Sequence, residues 1–155
     1  MATRVVNGAE ELEALAGREI GVSDWYPLTQ DSIQRFADLT GDHQWIHVDV
    51  ERARRESSFG GPIAHGFLTL SLLPMLLHQA VEVRGNFKNS VNYGFNRLRF
   101  TGPVPAGARV RLRATPQSVK RVEGAIEIAW GVVVEVEGRE KPAIVAEWLG
   151  RMYFA

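Results

Sequence analysis

The sequence has no cysteine among its 155 residues. That absence removes disulfides, thiolate nucleophiles and cysteine-ligated metals together. Nor is there a surplus of charge of either sign, since Lys plus Arg and Asp plus Glu both number 18. Proteins that bind nucleic acid usually carry a basic excess, so nucleic acid is not expected as a partner. Balanced charge also offers little electrostatic resistance to self-association. The first eleven residues lack the basic start and apolar stretch of a signal peptide. The most apolar stretch, residues 63–83, is interrupted by His65, Pro74, His78, Gln79 and Glu82, and is too broken to cross a bilayer. A cytoplasmic protein without membrane association is therefore expected. What remains is a 45% hydrophobic chain with no repeat, low-complexity tract or linker, read as one domain over residues 1–155.

The first half reads as helices and turns. Residues 10–16 place Leu12, Leu15 and Ala16 at helical spacing before Gly17, and residues 19–26 read as a first strand. Residues 29–40 predict a helix capped by Thr29 or Asp31, with Ile33, Phe36, Ala37 and Thr40 on one face. Gly41 stands where a helix commonly ends in a left-handed residue. Asp42 is then the first side chain after the stop, on a loop. Residues 51–56 predict a helical turn with Arg52, Arg54 and Arg55 in solvent, and residues 59–62 a turn. Residues 66–81 are apolar nearly all round, which predicts a helix in the middle of the domain, strained at Pro74.

The second half is rich in β-branched and aromatic residues. Residues 90–100, 109–115, 118–121, 125–136 and 144–153 predict strands, with a hairpin turn at 137–140. One buried helix followed by a run of antiparallel strands predicts an α+β fold in which a sheet wraps the helix.

Asp42 and His47 lie five residues apart after the helix stop. A loop can turn both toward one point, and a carboxylate with an imidazole can hold a water and move its protons near neutral pH. Alone, such a pair is more often a turn cap and a packed loop residue. His43 and His47 have the spacing of a helical zinc pair, but Gln44 stands where the zinc-protease motif has Glu, so no metal site is expected. His65 and Gly66 open the apolar helix, whose first-turn N–H groups lack internal partners. Gly66 either admits a ligand carbonyl to that backbone or relieves crowding where the turn meets the helix; the residues alone support both readings equally. Thr69 and Ser71 are expected to bond back to the preceding helical turn. The strand at residues 92–100 is read with Tyr93, Phe95 and Arg97 on one side and Asn92, Asn96 and Leu98 on the other. Arg97 and Arg99 are read as surface residues within reach of a phosphate. Neither a phosphate-binding glycine loop nor a serine-hydrolase elbow occurs.

Taken in order, these pieces resemble the MaoC-like dehydratase family, which includes (R)-specific enoyl-CoA hydratases. Phe36-Ala37-Asp38-Leu39-Thr40-Gly41-Asp42-His43-Gln44-Trp45-Ile46-His47 is similar to its signature, an aromatic, then Gly-Asp, then an apolar residue and His. Gly61-Pro62-Ile63-Ala64-His65-Gly66 is similar to the family's turn into its central helix, and the resemblance spans roughly residues 20–150. It implies a hotdog fold, an antiparallel sheet wrapped around a long helix, and a homodimer. It implies Asp42 and His47 as the catalytic pair, with the Gly66 N–H polarising a thioester carbonyl. It implies substrate contacts at Trp45, His65, Asn92, Tyr93, Gly94 and Arg97. The implied substrate is an acyl-CoA thioester, with coenzyme A as its handle and no cofactor. Many members carry Asn-Pro where Gln44-Trp45 stands here, which keeps the Asp-to-His spacing and changes the pocket wall. A thioesterase or a non-catalytic acyl-CoA-binding protein, nodulation protein N-like, is the alternative on the same fold.

Overall fold

The computed structural model describes residues 2–155, so Met1, which opens the stretch read for a signal peptide, lies outside the described residues. In chain order the elements are β1 (Arg4–Asn7), α1 (Gly8–Ala14), β2 (Gly21–Val22), β3 (Tyr26–Pro27), α2 (Gln30–Thr40), α3 (Trp45–Val48) and α4 (Val50–Glu56). Then follow α5 (Gly66–Ser71), α6 (Leu73–Ala80), β4 (Val81–Arg84), β5 (Phe87–Phe100), β6 (Arg109–Val122), β7 (Ala125–Val136) and β8 (Ile144–Phe154). Strands β2, β6, β7, β8 and β5 form an antiparallel sheet in that order, with β3 also on β6. The helix pair α5–α6 packs on its concave face, which is the hotdog arrangement. Among the described residues no helix is long and apolar enough to cross a membrane.

Strict alternation puts Val110, Leu112 and Ala114 of β6 and Val132, Val134 and Val136 of β7 into the core. Leu68, Leu73, Leu76, Leu77 and Ala80 meet them from the helices. The apolar helix is broken where its proline predicts: α5 ends at Ser71, and Pro74 stands in the first turn of α6, where its missing N–H costs nothing. Its all-round apolarity does not bury every face, because Phe67 is 65% exposed.

Three strand readings change. Residues 4–7, unassigned from sequence, form a strand because Arg4–Asn7 pairs in parallel with Val81–Arg84. The single strand expected over 19–26 is two short pieces, β2 and β3, on β6. The two strands expected over 109–121 are one, since β6 absorbs Pro116 in a bulge between Pro116 and Ser118.

Two further bulges, between Asn92 and Gly94 and between Phe95 and Arg97, overturn the expected sidedness of β5. Each adds a residue and resets the alternation. Phe95 comes to face Trp148 on the helix side with Asn92, while Asn96 donates to Glu147 on the outer face beside Arg97. Strand β5 ends the sheet, and most of its residues are exposed.

Candidate active site

Helix α2 delivers Asp42. Thr29 caps its first turn by accepting from the Ser32 N–H at 3.2 Å, and Gly41 ends it at φ 80° with its N–H on the Ala37 carbonyl. Asp42 follows, exposed, with Oδ1 accepting from the Gln44 N–H at 3.3 Å. The loop is shorter than expected from sequence. It ends at Gln44, and His47 sits in the single-turn helix α3, which rotates its side chain inward to 6% exposure.

The segment before Gly66 is fixed in extended form from both sides. Ile63 N–H donates to Ile46 O at 3.1 Å, Ala64 N–H to Val104 O at 2.8 Å, and Ala106 N–H to Pro62 O at 2.9 Å. This aims the Ile63 carbonyl at His47, whose Nδ1 lies 2.7 Å away. A carbonyl only accepts, so Nδ1 carries the proton. In the neutral ring Nε2 therefore holds a free lone pair. Gln30 Nε2 donates to the His47 main-chain oxygen at 2.7 Å and holds α3 from behind. Burial pushes the His47 imidazole below its ordinary value of 6.5, against the Ile63 carbonyl and Asp42, which favour the cation; the His65 ring adds to the lowering.

Asp42, His47 and His65 each present one nitrogen or oxygen atom within 4.8 Å of the other two. The His47 and His65 rings stack, with centroids 3.9 Å apart and planes at 25°. Two imidazoles in nearly parallel planes direct their lone pairs side by side, not toward one point at zinc–nitrogen distance of about 2 Å. This arrangement suits proton transfer better than metal binding. His43 stays outside the group, exposed and bonded through Nε2 to Asp38 at 2.8 Å, which raises its pKa.

Gly66 borders an apolar cleft of about 370 Å³ with Phe59, Ile63, Thr69, Phe100 and Ile144 among its walls. A Cβ at Gly66 would lie 2.9 Å from Phe100 Cδ1. A side chain there would have to displace the half-exposed Phe100 ring, and that ring belongs to the cleft wall itself, so the two readings of Gly66 describe one place. Ser71 bonds back to Phe67 O at 2.6 Å as expected. Thr69 does not: the His65 carbonyl already accepts from the Leu68 and Thr69 amides, and Thr69 Oγ1 is buried without a partner.

The other anticipated contact residues scatter. Trp45 is half-buried under the Arg52 guanidinium, 4.3 Å from its ring. Asn92 faces a second cleft with Phe67, Leu70, Pro74, Phe95 and Trp148. Tyr93 lies under Arg151 at 3.6 Å, and Arg97 beside Glu19, Arg113 and Glu147; both are on the outer face, away from the helices. Gly94 opposes Leu149 between the two bulges. Within one chain, then, Asp42, His47 and His65 are brought together, with Gly66 next to His65 at the start of α5, and Trp45, Asn92, Tyr93, Gly94 and Arg97 are not part of that group. Gln30, the Ile63 carbonyl and Phe100 were not anticipated. Only Ile63 had a signal, its place in the Gly-Pro-Ile-Ala-His-Gly run.

Residues 11–137 match the family described as MaoC like domain. The 3-hydroxyacyl-thioester dehydratase Z of Mycobacterium tuberculosis is 48% identical over 149 residues, covering 96% of this chain and 97% of that one. Nodulation protein N of Rhizobium meliloti is 42% identical over 145 residues, covering 93% and 90%. The solved (R)-hydratase of Pseudomonas aeruginosa, in its unliganded form, superposes with TM-score 0.70 at 22% identity, covering 95% and 86%.

Proposed function

The chain belongs to the MaoC-like dehydratase family, and from that premise we propose that it catalyses the reversible addition of water to trans-2-enoyl-CoA thioesters, giving (R)-3-hydroxyacyl products. One observation carries the assignment of roles: His47, buried, with its Nδ1 proton committed to the Ile63 carbonyl, faces the Asp42 carboxylate within 4.8 Å. A neutral imidazole in that tautomer has one use for Nε2, which is to accept a proton.

In hydration the thioester carbonyl lies against the Gly66 N–H, which draws electrons from the double bond and leaves C3 electrophilic. A water between Asp42 and His47 gives one proton to His47 Nε2 as its oxygen bonds to C3. Asp42 accepts a hydrogen bond from the water's other proton and keeps its lone pair on C3. The proton held by the pair passes to C2 as the enolate collapses, so both parts of water arrive on one face. The acyl chain lies in the apolar cleft beside Gly66, and coenzyme A serves as the substrate's handle. No metal or redox cofactor takes part in these steps.

A homodimer belongs to this reading. Strand β5 is a 14-residue edge, and Phe67, Phe95 and Phe100 stand exposed on the concave side next to it. So does a cytoplasmic location, where a cysteine-free chain forgoes nothing. Asp42→Asn and His47→Gln test the roles. Each is expected to lower turnover of an enoyl-CoA roughly 1,000-fold, in the range general acid–base groups contribute, with folding intact. Undiminished turnover in both variants contradicts the assignment.

A further inference from the structure

His65 is 2% exposed and touches both members of the proposed pair. Its Nε2 donates to the Asp42 main-chain carbonyl at 2.9 Å, across 23 residues of sequence. Its ring lies face to face with His47. Phe36 of α2 packs on it at 4.9 Å, tilted by 57°. Its Nδ1 is buried with no partner. An unsatisfied buried nitrogen is costly, and an apolar side chain of similar shape would fill the space without it. The imidazole is kept for what Nε2 and the ring face do.

His47 is also held by the Ile63 carbonyl and Gln30, whereas Asp42 has fewer ties. Asp42 is exposed on the four-residue connection 41–44, fixed locally by a 3.3 Å bond from the Gln44 N–H, a 3.2 Å bond from His43 N–H to Gly41 O, and the His43–Asp38 bond at 2.8 Å. The His65 bond joins that connection to the start of α5, the same turn that presents Gly66. The stack joins His47 to it as well. Resting on the catalytic reading above, we propose that His65 is a positioning residue, which locks the Asp42 backbone and the His47 ring to the Gly66 turn so that acid, base and carbonyl-binding amide keep one geometry. It touches neither water nor substrate in this role.

The groups facing His47 are Asp42 from the connection, His65 at the N-cap of α5, the Ile63 carbonyl, and the Gln30 amide on its main chain. Removing the His65 ring takes away a neighbouring imidazole and lets water approach, and both changes favour protonated His47. Two variants separate reach from bulk. In His65→Gln the amide nitrogen falls near the position of Nε2 and still meets Asp42 O. In His65→Asn it falls near Nδ1 and does not.

His65→Asn is expected to lose roughly 100-fold in kcat, as a displacement near 1 Å can cause, with KM little changed. His65→Gln is expected to recover most of that loss. In both, the acid limb of the kcat/KM profile moves to higher pH. Equal kcat in the two variants with the parent's acid limb overturns the proposal. If His65→Asn does not fold, the acid limb of His65→Gln decides alone: a shift upward supports the proposal, and a profile matching the parent's overturns it. Asp42→Asn and His47→Gln run alongside. Should they stay active, the catalytic reading fails and takes this one with it; should they be inactive while the His65 variants match the parent, only the His65 proposal fails.

Discussion

His43 and His47 stand four residues apart and are driven in opposite directions. Burial lowers His47 below 6.5, while the bond to Asp38 raises His43 above it. Titration of the ring protons by NMR is expected to show His43 protonating before His47 as pH falls. A neutral His47 is needed as base in hydration, so kcat/KM should be level above its pKa and fall as pH drops through it, on the acid side of 6.5. The same ring makes stability fall over that window. Below 6.5 the unfolded chain takes up a proton that the folded site resists until a lower pH. For His43 the sign reverses: its contribution is present below 6.5, fades as pH rises through its raised value, and is small because the pair is exposed. A folded-state His47 that titrates above His43 contradicts the burial argument. None of this was legible from the spacing of residues 43 and 47. The difference arises from α3, which turns one imidazole inward onto the Ile63 carbonyl; the Gly-Pro-Ile-Ala-His-Gly run marks that segment but not which histidine its carbonyl meets.

At the scale of elements, legibility followed how local the cause was. Helix α2 was readable from Thr29 to Gly41 because its cap and stop are intrinsic to those residues. Strand β7 was readable because its apolar run lies between turns. Strand β1 was not, because its partner is β4, some 77 residues on. The faces of β5 were misread because bulges depend on the register of β8. The start of α5 gives the sharpest test. Gly66→Ala puts a Cβ against the half-exposed Phe100 ring, and since that ring can move outward the cost is expected at or below the low end of core overpacking, about 1 kcal/mol. Placing it in a Phe100→Ala background is expected to remove that cost, measured by urea unfolding as the difference between single and double variants. Turnover should stay low in the double variant, since the methyl still projects toward the cleft in which the thioester carbonyl is proposed to lie. Recovery of both stability and turnover would mean that crowding alone requires glycine there.

For the whole molecule, the near-zero charge, the long edge of β5 and the aromatic groups beside it point the same way. Light scattering is expected to give about twice the mass of one chain, and Phe67→Asp with Phe95→Asp together to give a monomer. A monomeric parent contradicts the dimer. The dehydratase Z and nodulation protein N relatives carry different kinds of name, and the second says nothing of chemistry. The direct measurement therefore uses the intact protein and a series of trans-2-enoyl-CoAs of increasing length, following enoyl absorbance and free thiol together and resolving the product by chirality. The account predicts loss of the enoyl chromophore, no thiol, and the (R)-3-hydroxyacyl-CoA. Release of thiol, an (S) product, or an unchanged chromophore across the series would contradict it.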